Sequence, residues 1–413
     1  MNDIKIQEVV QEYETPLYLY DRKIIEENYK KLTQSIFPGA KLFYSMKANP
    51  SLGICQVFHQ LGAGIEVASA GELCVALEAG FDPQQIHFTS PGKTVSEIEY
   101  ALKAGIHLLN IESLEEAFLI NELAKKLGVT ANIGMRVNPS VCFSNAKIKM
   151  SGVSSQFGIE EEVIDADLIA KIKALTNVEL QGFQVYMGTQ MLIAEDIIKN
   201  TEYIMTMALR LAKEFGIELK YLNVGGGFGV KYFKNETPLD LDAVKDGMQK
   251  LYASFSEDLK NTSVAFESGR FLMADTGVFV TKVLYVKESK GQKYVVCDGG
   301  SNFHSSAAFL GRFIRNNFPL HTIPDSQDVA ECNICGPLCT SLDVIGQKVS
   351  INANIAAGNL VVIEMSGAYG YTYSPCKFLS HESPMELLLD GDKIRVLRNR
   401  GCIEDYLLGQ NRL

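Results

Sequence analysis

Phe43-Tyr44-Ser45-Met46-Lys47-Ala48-Asn49-Pro50 is an apolar run of strand formers that carries one lysine to its end and is then stopped by proline. Proline cannot donate to a ladder and restricts the residue before it, so the sheet ends here. Lys47 therefore stands where a strand opens into a loop, a common position for a functional group in an α/β protein. By itself the octapeptide reads first as a lysine on the solvated rim of a strand, and its surroundings have to decide otherwise.

Working outward, strand-like runs recur at 41–44, 64–67, 86–89, 108–111, 132–137, 180–187, 221–224 and 263–266. Amphipathic helical stretches separate them, among them 22–34 behind the N-cap candidate Asp21, then 70–79, 95–104, 114–127 and 194–215. Strands alternating with helices in this way predict an α/β fold, a (β/α)8 TIM-like barrel over residues 22–275. After Arg270 the texture changes to short strands at 278–286, 293–298, 349–351, 360–364, 385–389 and 393–397, joined by Gly, Asn and Asp turns. A mostly β C-terminal domain is expected over 276–413, with 1–21 included because the strand Tyr18-Leu19-Tyr20 precedes the first barrel helix.

At 413 residues, 46% hydrophobic and 21% charged, the chain has the composition of a globular protein with a full core. A net charge of −10 argues against general nucleic-acid binding, which needs a positive field. No apolar run approaches the roughly 20 residues that span a bilayer, and the first residues lack a signal-peptide core, so no membrane partner is expected and the localisation reads as cytoplasmic. The nine cysteines show no pairing pattern and read as free thiols.

Four further stretches carry candidate chemistry. Tyr221 to Gly229, YLNVGGGFG, is a strand followed by a glycine-rich loop, which can bring backbone N–H groups close to a phosphate. It lacks the Lys-Ser/Thr of a nucleotide-binding P-loop, and no dinucleotide pattern follows. Phe266-Glu267-Ser268-Gly269-Arg270 ends the eighth strand with a carboxylate and a guanidinium; it suits either a salt bridge or a heteroaromatic cation and an anion. Cys332, Cys335 and Cys339 lack the second pair or histidine of a zinc site, and no metal is expected. Gly336-Pro337-Leu338-Cys339 instead makes a tight turn that can expose a thiol, and Met365 to Gly370 sets Tyr369 in a flexible turn.

In their joint order these segments resemble the pyridoxal-phosphate decarboxylases of the alanine-racemase-like fold, the group of diaminopimelate, ornithine and arginine decarboxylases. The resemblance rests on Tyr44 to Asn49, Glu66 to Leu73, Arg136-Val137-Asn138-Pro139, Gln156-Phe157-Gly158-Ile159, the Gly225 loop, Glu267 to Arg270, Gly336 to Cys339 and Gly367-Ala368-Tyr369. It implies pyridoxal 5′-phosphate as cofactor, with Lys47 as the amine that binds it covalently, Glu267 facing its ring nitrogen, and Gly226, Gly227, Gly269, Arg270 and Tyr369 around its phosphate. Cys339 would return a proton to Cα after carbon dioxide leaves. In this family that cysteine reaches the other subunit's cofactor, so a homodimer with shared active sites is implied.

Departures from the family pattern bear on substrate. Tyr186 stands where diaminopimelate decarboxylases usually have histidine, and Glu66 where they have aspartate; a tyrosine can still stack on the cofactor ring. In Cys339-Thr340-Ser341 the acid that contacts a distal ammonium in diamino-acid decarboxylases is replaced by Thr340. The pattern looks more like the branch that includes the butirosin-pathway decarboxylase, which acts on a glutamyl group thioesterified to an acyl-carrier protein. Thr340, Asp343, Arg312 and Arg315 are expected beside the substrate, and a basic patch of Lys147, Lys149, Arg312 and Arg315 would dock an acidic carrier protein. Diaminopimelate decarboxylation is the alternative, ahead of a racemase or a non-catalytic cofactor-binding homologue.

Overall fold

The computed structural model describes residues 2–141, 148–149, 154–308 and 316–413. The chain forms two compact units, one of Asn28–Lys231 with Thr237–Phe271, the other of the chain up to Glu27, Tyr232–Glu236 and Leu272–Leu413.

The first unit is the expected barrel. Its strands are β1 Lys41–Ser45, β2 Gly64–Val67, β3 Ile86–Thr89, β4 Leu108–Ile111, β5 Ala131–Asn138, β6 Val178–Gln184, β7 Tyr221–Asn223 and β8 Ser263–Ser268. Each pairs in parallel with the next, and β8 closes on β1 with Glu267 opposite Phe43. Parallel strands buried on both faces favour apolar runs, which most of these sequences supply; β6, VELQGFQ, is buried only over its last three residues. Several connecting helices start on side-chain caps that accept a free backbone N–H group, at Ser69, Thr94, Ser113, Asp165 and Asp240: Thr94 and Glu97 form a reciprocal capping box ahead of Val95–Ala104, and that helix stops at Gly105 with φ +68°.

Phe43, Leu108, Tyr221 and Ala265 fill one buried layer. Gly64 makes room for it, because a Cβ there would stand 2.4 Å from the Phe43 ring. That ring is itself held, stacked on His87 with centroids 4.0 Å apart.

The second unit is mostly β, a nine-stranded mixed sheet. The N-terminal strand Leu17–Asp21 joins it from within, antiparallel to Gly277–Ser289 and parallel to Met385–Asp390. Its core brings Ile6, Val9, Leu17 and Leu19 together with Val280, Ile323, Leu360, Val362 and Leu387. The helix Asp3–Tyr13 and the strands Leu320–Ile323 and Val329–Cys335 are additions to the sequence expectation, and the run at 349–351 belongs to the longer strand Val344–Asn352. The helix presents only Ile6 and Val9 as fully buried residues, a weak periodic signal. Val329–Cys335 mixes Glu, Asn and Cys into its alternation, so strand composition does not mark it.

Replacing Gly64 by Ala is expected to destabilise the protein by about 1–3 kcal/mol, since neither the backbone nor the stacked Phe43 ring can yield without disturbing the layer. Urea unfolding of Gly64→Ala against the parent measures this, and an unchanged midpoint would contradict it.

Candidate active site

The C-terminal strand ends of the barrel carry the polar residues, as they do in enzymes of this architecture. Lys47 sits in a single 3₁₀ turn, Met46–Ala48, directly after β1. The turn is pinned by its neighbours: the Tyr44 hydroxyl donates to Asn49 O at 2.8 Å, and Asn49 Oδ1 accepts the Ser51 N–H at 3.1 Å. Gly269 packs closely from β8, where a Cβ would meet both Ala48 Cβ and Ser45 O at 2.8 Å. The exposed Lys47 amine lies 3.7 Å from Glu66 Oε2 and 5.4 Å from the centre of the Tyr186 ring.

Glu66 and Glu267 form the electrostatic centre. They are 5% and 2% exposed, so both carboxyls are desolvated. Ser45 Oγ donates to Glu66 Oε2 at 2.9 Å, and Asn223 Nδ2 donates to Glu267 Oε1 at 2.5 Å. Burial first, then the charge of Glu66, push the Glu267 carboxyl up to about 8, against the opposing pull of Lys47 and Asn223. Glu72 is also pushed up by burial, with Glu66 contributing, although its carboxylate accepts the Ala68 N–H at 2.7 Å. Carboxylates gathered around one exposed amine leave a place that favours a further cation.

The glycine loop follows β7 and closes against β8. Gly225 has φ +69° and donates its N–H to Asn223 Oδ1 at 2.8 Å, while its carbonyl accepts the Glu267 N–H at 2.7 Å. A Cβ at Gly226 would lie 1.7 Å from Glu267 O, and one at Gly227, where φ is +86°, would lie 2.3 Å from Gly188 O. Only glycine fits such close backbone approaches. Beside the loop, Gln184 at the end of β6 is 1% exposed and its Oε1 has no hydrogen-bond partner within the structure. A flat heteroaromatic cation with an anionic tail fits this set: carboxylates for its ring nitrogen, Tyr186 for its face, the glycine loop and Arg270 for its tail, and Lys47 for a carbonyl substituent.

Sequence reasoning missed several residues that shape the site. Asn223 is one; a lone polar residue at the inward end of an apolar strand is the signal that could have found it. Glu112 is another: its carboxylate pairs with Arg136 Nη1 at 2.8 Å and accepts the Gly158 N–H at 2.8 Å, and Arg136 lies 4.7 Å from the Phe157 ring. The motifs around Arg136 and Phe157 thus meet through an acid distant from both in sequence.

In the second unit, Cys339 is exposed in the turn after Val329–Cys335, and Thr340 is half-buried, its Oγ1 accepting the Leu342 N–H at 3.3 Å. Asp343 departs from the expectation that it meets substrate. It is 2% exposed, and its two carboxylate oxygens accept the Ser301 N–H at 2.6 Å and the Leu338 N–H at 2.8 Å. Its carboxylate ties the turn from inside. Tyr369 adopts φ +55°, accepts Ser306 Oγ on its carbonyl at 2.8 Å and packs edge-on to Tyr373. Arg312, Arg315 and Lys147 lie outside the described residues; of Lys149 only the backbone is described, in a two-residue pairing with Gly188.

The raised Glu267 carboxyl has a measurable consequence in the ligand-free protein. Between the ordinary value of 4.5 and about 8 the folded state holds a proton that the unfolded chain has released, so stability falls as pH rises through that window. Glu267→Gln is expected to flatten this slope in urea midpoints measured against pH; an identical slope in the variant would contradict it.

The comparisons with known proteins agree with this chemistry. The family model described as pyridoxal-dependent decarboxylase, pyridoxal binding domain, matches residues 22–274. The chain is 38% identical to the L-glutamyl-[BtrI acyl-carrier protein] decarboxylase of Niallia circulans over 99% of its own length and 97% of the relative's. It is 32% identical to the diaminopimelate decarboxylase of Helicobacter pylori strain J99, over 97% of this chain and 96% of that one. The crystal structure of a diaminopimelate decarboxylase from Helicobacter pylori complexed with L-lysine superposes with a TM-score of 0.87 at 29% identity, covering 97% of this chain and 98% of that chain. The chain belongs to the pyridoxal-dependent decarboxylases, carboxy-lyases that work with pyridoxal phosphate.

Proposed function

We propose that this decarboxylase removes the α-carboxylate, as carbon dioxide, from an amino-acid head whose distal end is uncharged, such as a glutamyl group held as a thioester on an acyl-carrier protein. The observation that carries the reading is the turn Gly336–Asp343. Its sequence contains one acid, Asp343, and both oxygens of that acid are engaged by backbone N–H groups. Thr340, at the position where diamino-acid decarboxylases resemble one another in having a carboxylate, offers a neutral hydroxyl. The 38% identity to a glutamyl-carrier decarboxylase supports the same substrate class.

In this reading Lys47 Nζ would hold the cofactor, Glu267 would serve its ring nitrogen, Tyr186 would stack on its ring, and Gly226, Gly227, Arg270 and Tyr369 would hold its phosphate. Pyridoxal phosphate, when bound, supplies the electron sink for the bond pair of the departing carboxylate. Glu267 and Glu66 keep the neighbouring positive charge in place, and Cys339 Sγ delivers a proton to Cα, which completes the amine. Cys339 acts in the site of a second copy of the chain, so the active form is a homodimer. No helix among the described residues is long and apolar enough to cross a membrane, which suits a cytoplasmic enzyme.

Carbon dioxide release from glutamyl-carrier thioester is expected to exceed that from free glutamate, meso-diaminopimelate, ornithine or lysine by at least about a hundredfold in kcat/KM, in keeping with the several kcal/mol that an unmatched buried charge, a distal carboxylate or ammonium, forfeits. Faster release from meso-diaminopimelate would overturn the assignment in favour of lysine biosynthesis. Thr340→Glu is expected to reverse part of that preference. A Cys339→Ala variant with full turnover would favour a racemase or a binding protein instead. Mixing inactive Lys47→Ala and Cys339→Ala proteins after unfolding and refolding together is expected to restore roughly a quarter of the activity, because half of the dimers are mixed and carry one intact site of two. No recovery would contradict the shared site.

A further inference from the structure

A cavity of about 240 Å³ lies at the N-terminal strand ends of the barrel, at the opposite end of β1 from Lys47. Its polar lining comes from Lys41 at the start of β1, Gln84 and Gln85 in the turn before β3, His87 on β3, His107 just before β4 and Ser263 at the start of β8. No aspartate or glutamate lines it, in a chain whose net charge is −10. Asp82, beside the Gln84 turn, already accepts the Gln84 N–H on Oδ1 at 2.9 Å. The Lys41 ammonium is exposed and has no ion pair among the described residues. The rim is held together by two bonds: the His107 N–H donates to Pro83 O at 2.9 Å, and Gln84 Nε2 donates to Gly105 O at 2.8 Å.

A hydrogen-bonded column behind the cavity decides what His107 presents to it. The Tyr221 hydroxyl meets His87 Nδ1 at 2.9 Å, and His87 Nε2 meets His107 Nδ1 at 3.0 Å. His87 is 1% exposed, and Phe43 stacks on its ring at an interplanar angle of 21°. Burial keeps the Tyr221 phenol protonated, so it donates to His87 Nδ1. Burial first, then His107 and Lys41, hold the His87 imidazole below its ordinary value; burial and then Lys41 do the same to His107. Each neutral ring has one donor and one acceptor. His87 therefore carries its proton on Nε2 and donates to His107 Nδ1, which leaves the His107 proton on Nε2. The half-buried His107 thus offers the cavity an N–H rather than a lone pair.

We propose that this cavity is a binding site for a small oxyanion of the phosphate class, free or as the end of a small metabolite, held by the Lys41 ammonium and the His107 Nε2–H with help from the Gln84 and Gln85 amides. Lys41 supplies the charge, and the column fixes the tautomer that donates. Donors that arrive from separate elements suit a tetrahedral group better than a planar carboxylate. None of these residues is among those assigned to cofactor or substrate, so the site stands apart from the decarboxylation chemistry.

The test titrates the cofactor-loaded enzyme, in which the cofactor's own phosphate position is already filled, with inorganic phosphate, glycerol phosphate and acetate by calorimetry at low ionic strength. Phosphate is expected to bind with a Kd of roughly 1 mM, and acetate at least about tenfold more weakly. Lys41→Met and His107→Leu are each expected to weaken phosphate binding at least about tenfold while kcat and KM stay within about twofold of the parent. In spectra of isotope-labelled histidine, the His107 Nε2 signal is expected to be that of a protonated nitrogen and to shift when phosphate is added. Glycerol phosphate binding more tightly than phosphate supports the site as one for a phosphate ester, and equal binding supports it as one for the free ion. If His107→Leu does not accumulate as folded protein, Lys41→Met, at an exposed position, decides the outcome with the His107 signal. No binding up to about 50 mM phosphate, undiminished binding in the folded variants, acetate binding as tightly as phosphate, or a His107 signal that phosphate leaves unmoved overturns the proposal.

Discussion

Two glutamates in one desolvated place are the constraint around which the barrel's functional end is arranged. Glu66 and Glu267 come from strands on either side of β1, and Lys47 leaves β1 between them. Burial first, and then repulsion from the like charge of Glu66, make Glu267 hold its proton well above the usual carboxyl range. The neighbouring features answer that repulsion: the Lys47 amine, the Ser45 hydroxyl and the Asn223 amide each supply positive charge or a hydrogen bond. A bound pyridinium would add the cation that the arrangement lacks. The fold therefore carries a standing electrostatic demand that the family's cofactor satisfies.

The glycine loop is the geometric counterpart of this demand. Gly225 to Gly227 run so close to the backbone of β8 and of Gly188 that no Cβ fits at Gly226 or Gly227. The same approach that would bring backbone N–H groups toward a phosphate thus locks the loop to the strand bearing Glu267, so the two ends of a cofactor are referred to one rigid edge.

How much of this was legible in the sequence depended on the range of the interaction involved. The barrel was readable because parallel strands with both faces buried announce themselves as apolar runs, and the run that leads into Lys47 is one of them. The glycine loop and Glu267 stood out because backbone approach and strand-end charge restrict residue type locally. Glu112 did not stand out, since it acts only through residues far away in the chain, and Asn223, a lone polar residue on an apolar strand, gives a signal whose meaning depends on Glu267, 44 positions on. Asp343 misled for a related reason: an acid next to a suspected substrate turn looks like a ligand until its oxygens are found to be taken by Ser301 and Leu338. In the second unit, the helix Asp3–Tyr13 commits too few residues to the core to leave a periodic trace.

The tether made by Asp343 has a further consequence for how this protein can change. The backbone of the 336–343 turn is held from the buried side by the Asp343 carboxylate at 2.6 and 2.8 Å, while the side chain at 340 adds one longer bond, from the Leu342 N–H at 3.3 Å. In the proposed reading, structure and selectivity are then carried chiefly by different residues only three positions apart. A lineage can exchange a hydroxyl for an acid at the outer position, and so explore new substrates, while the inner one keeps the scaffold intact through the exchange.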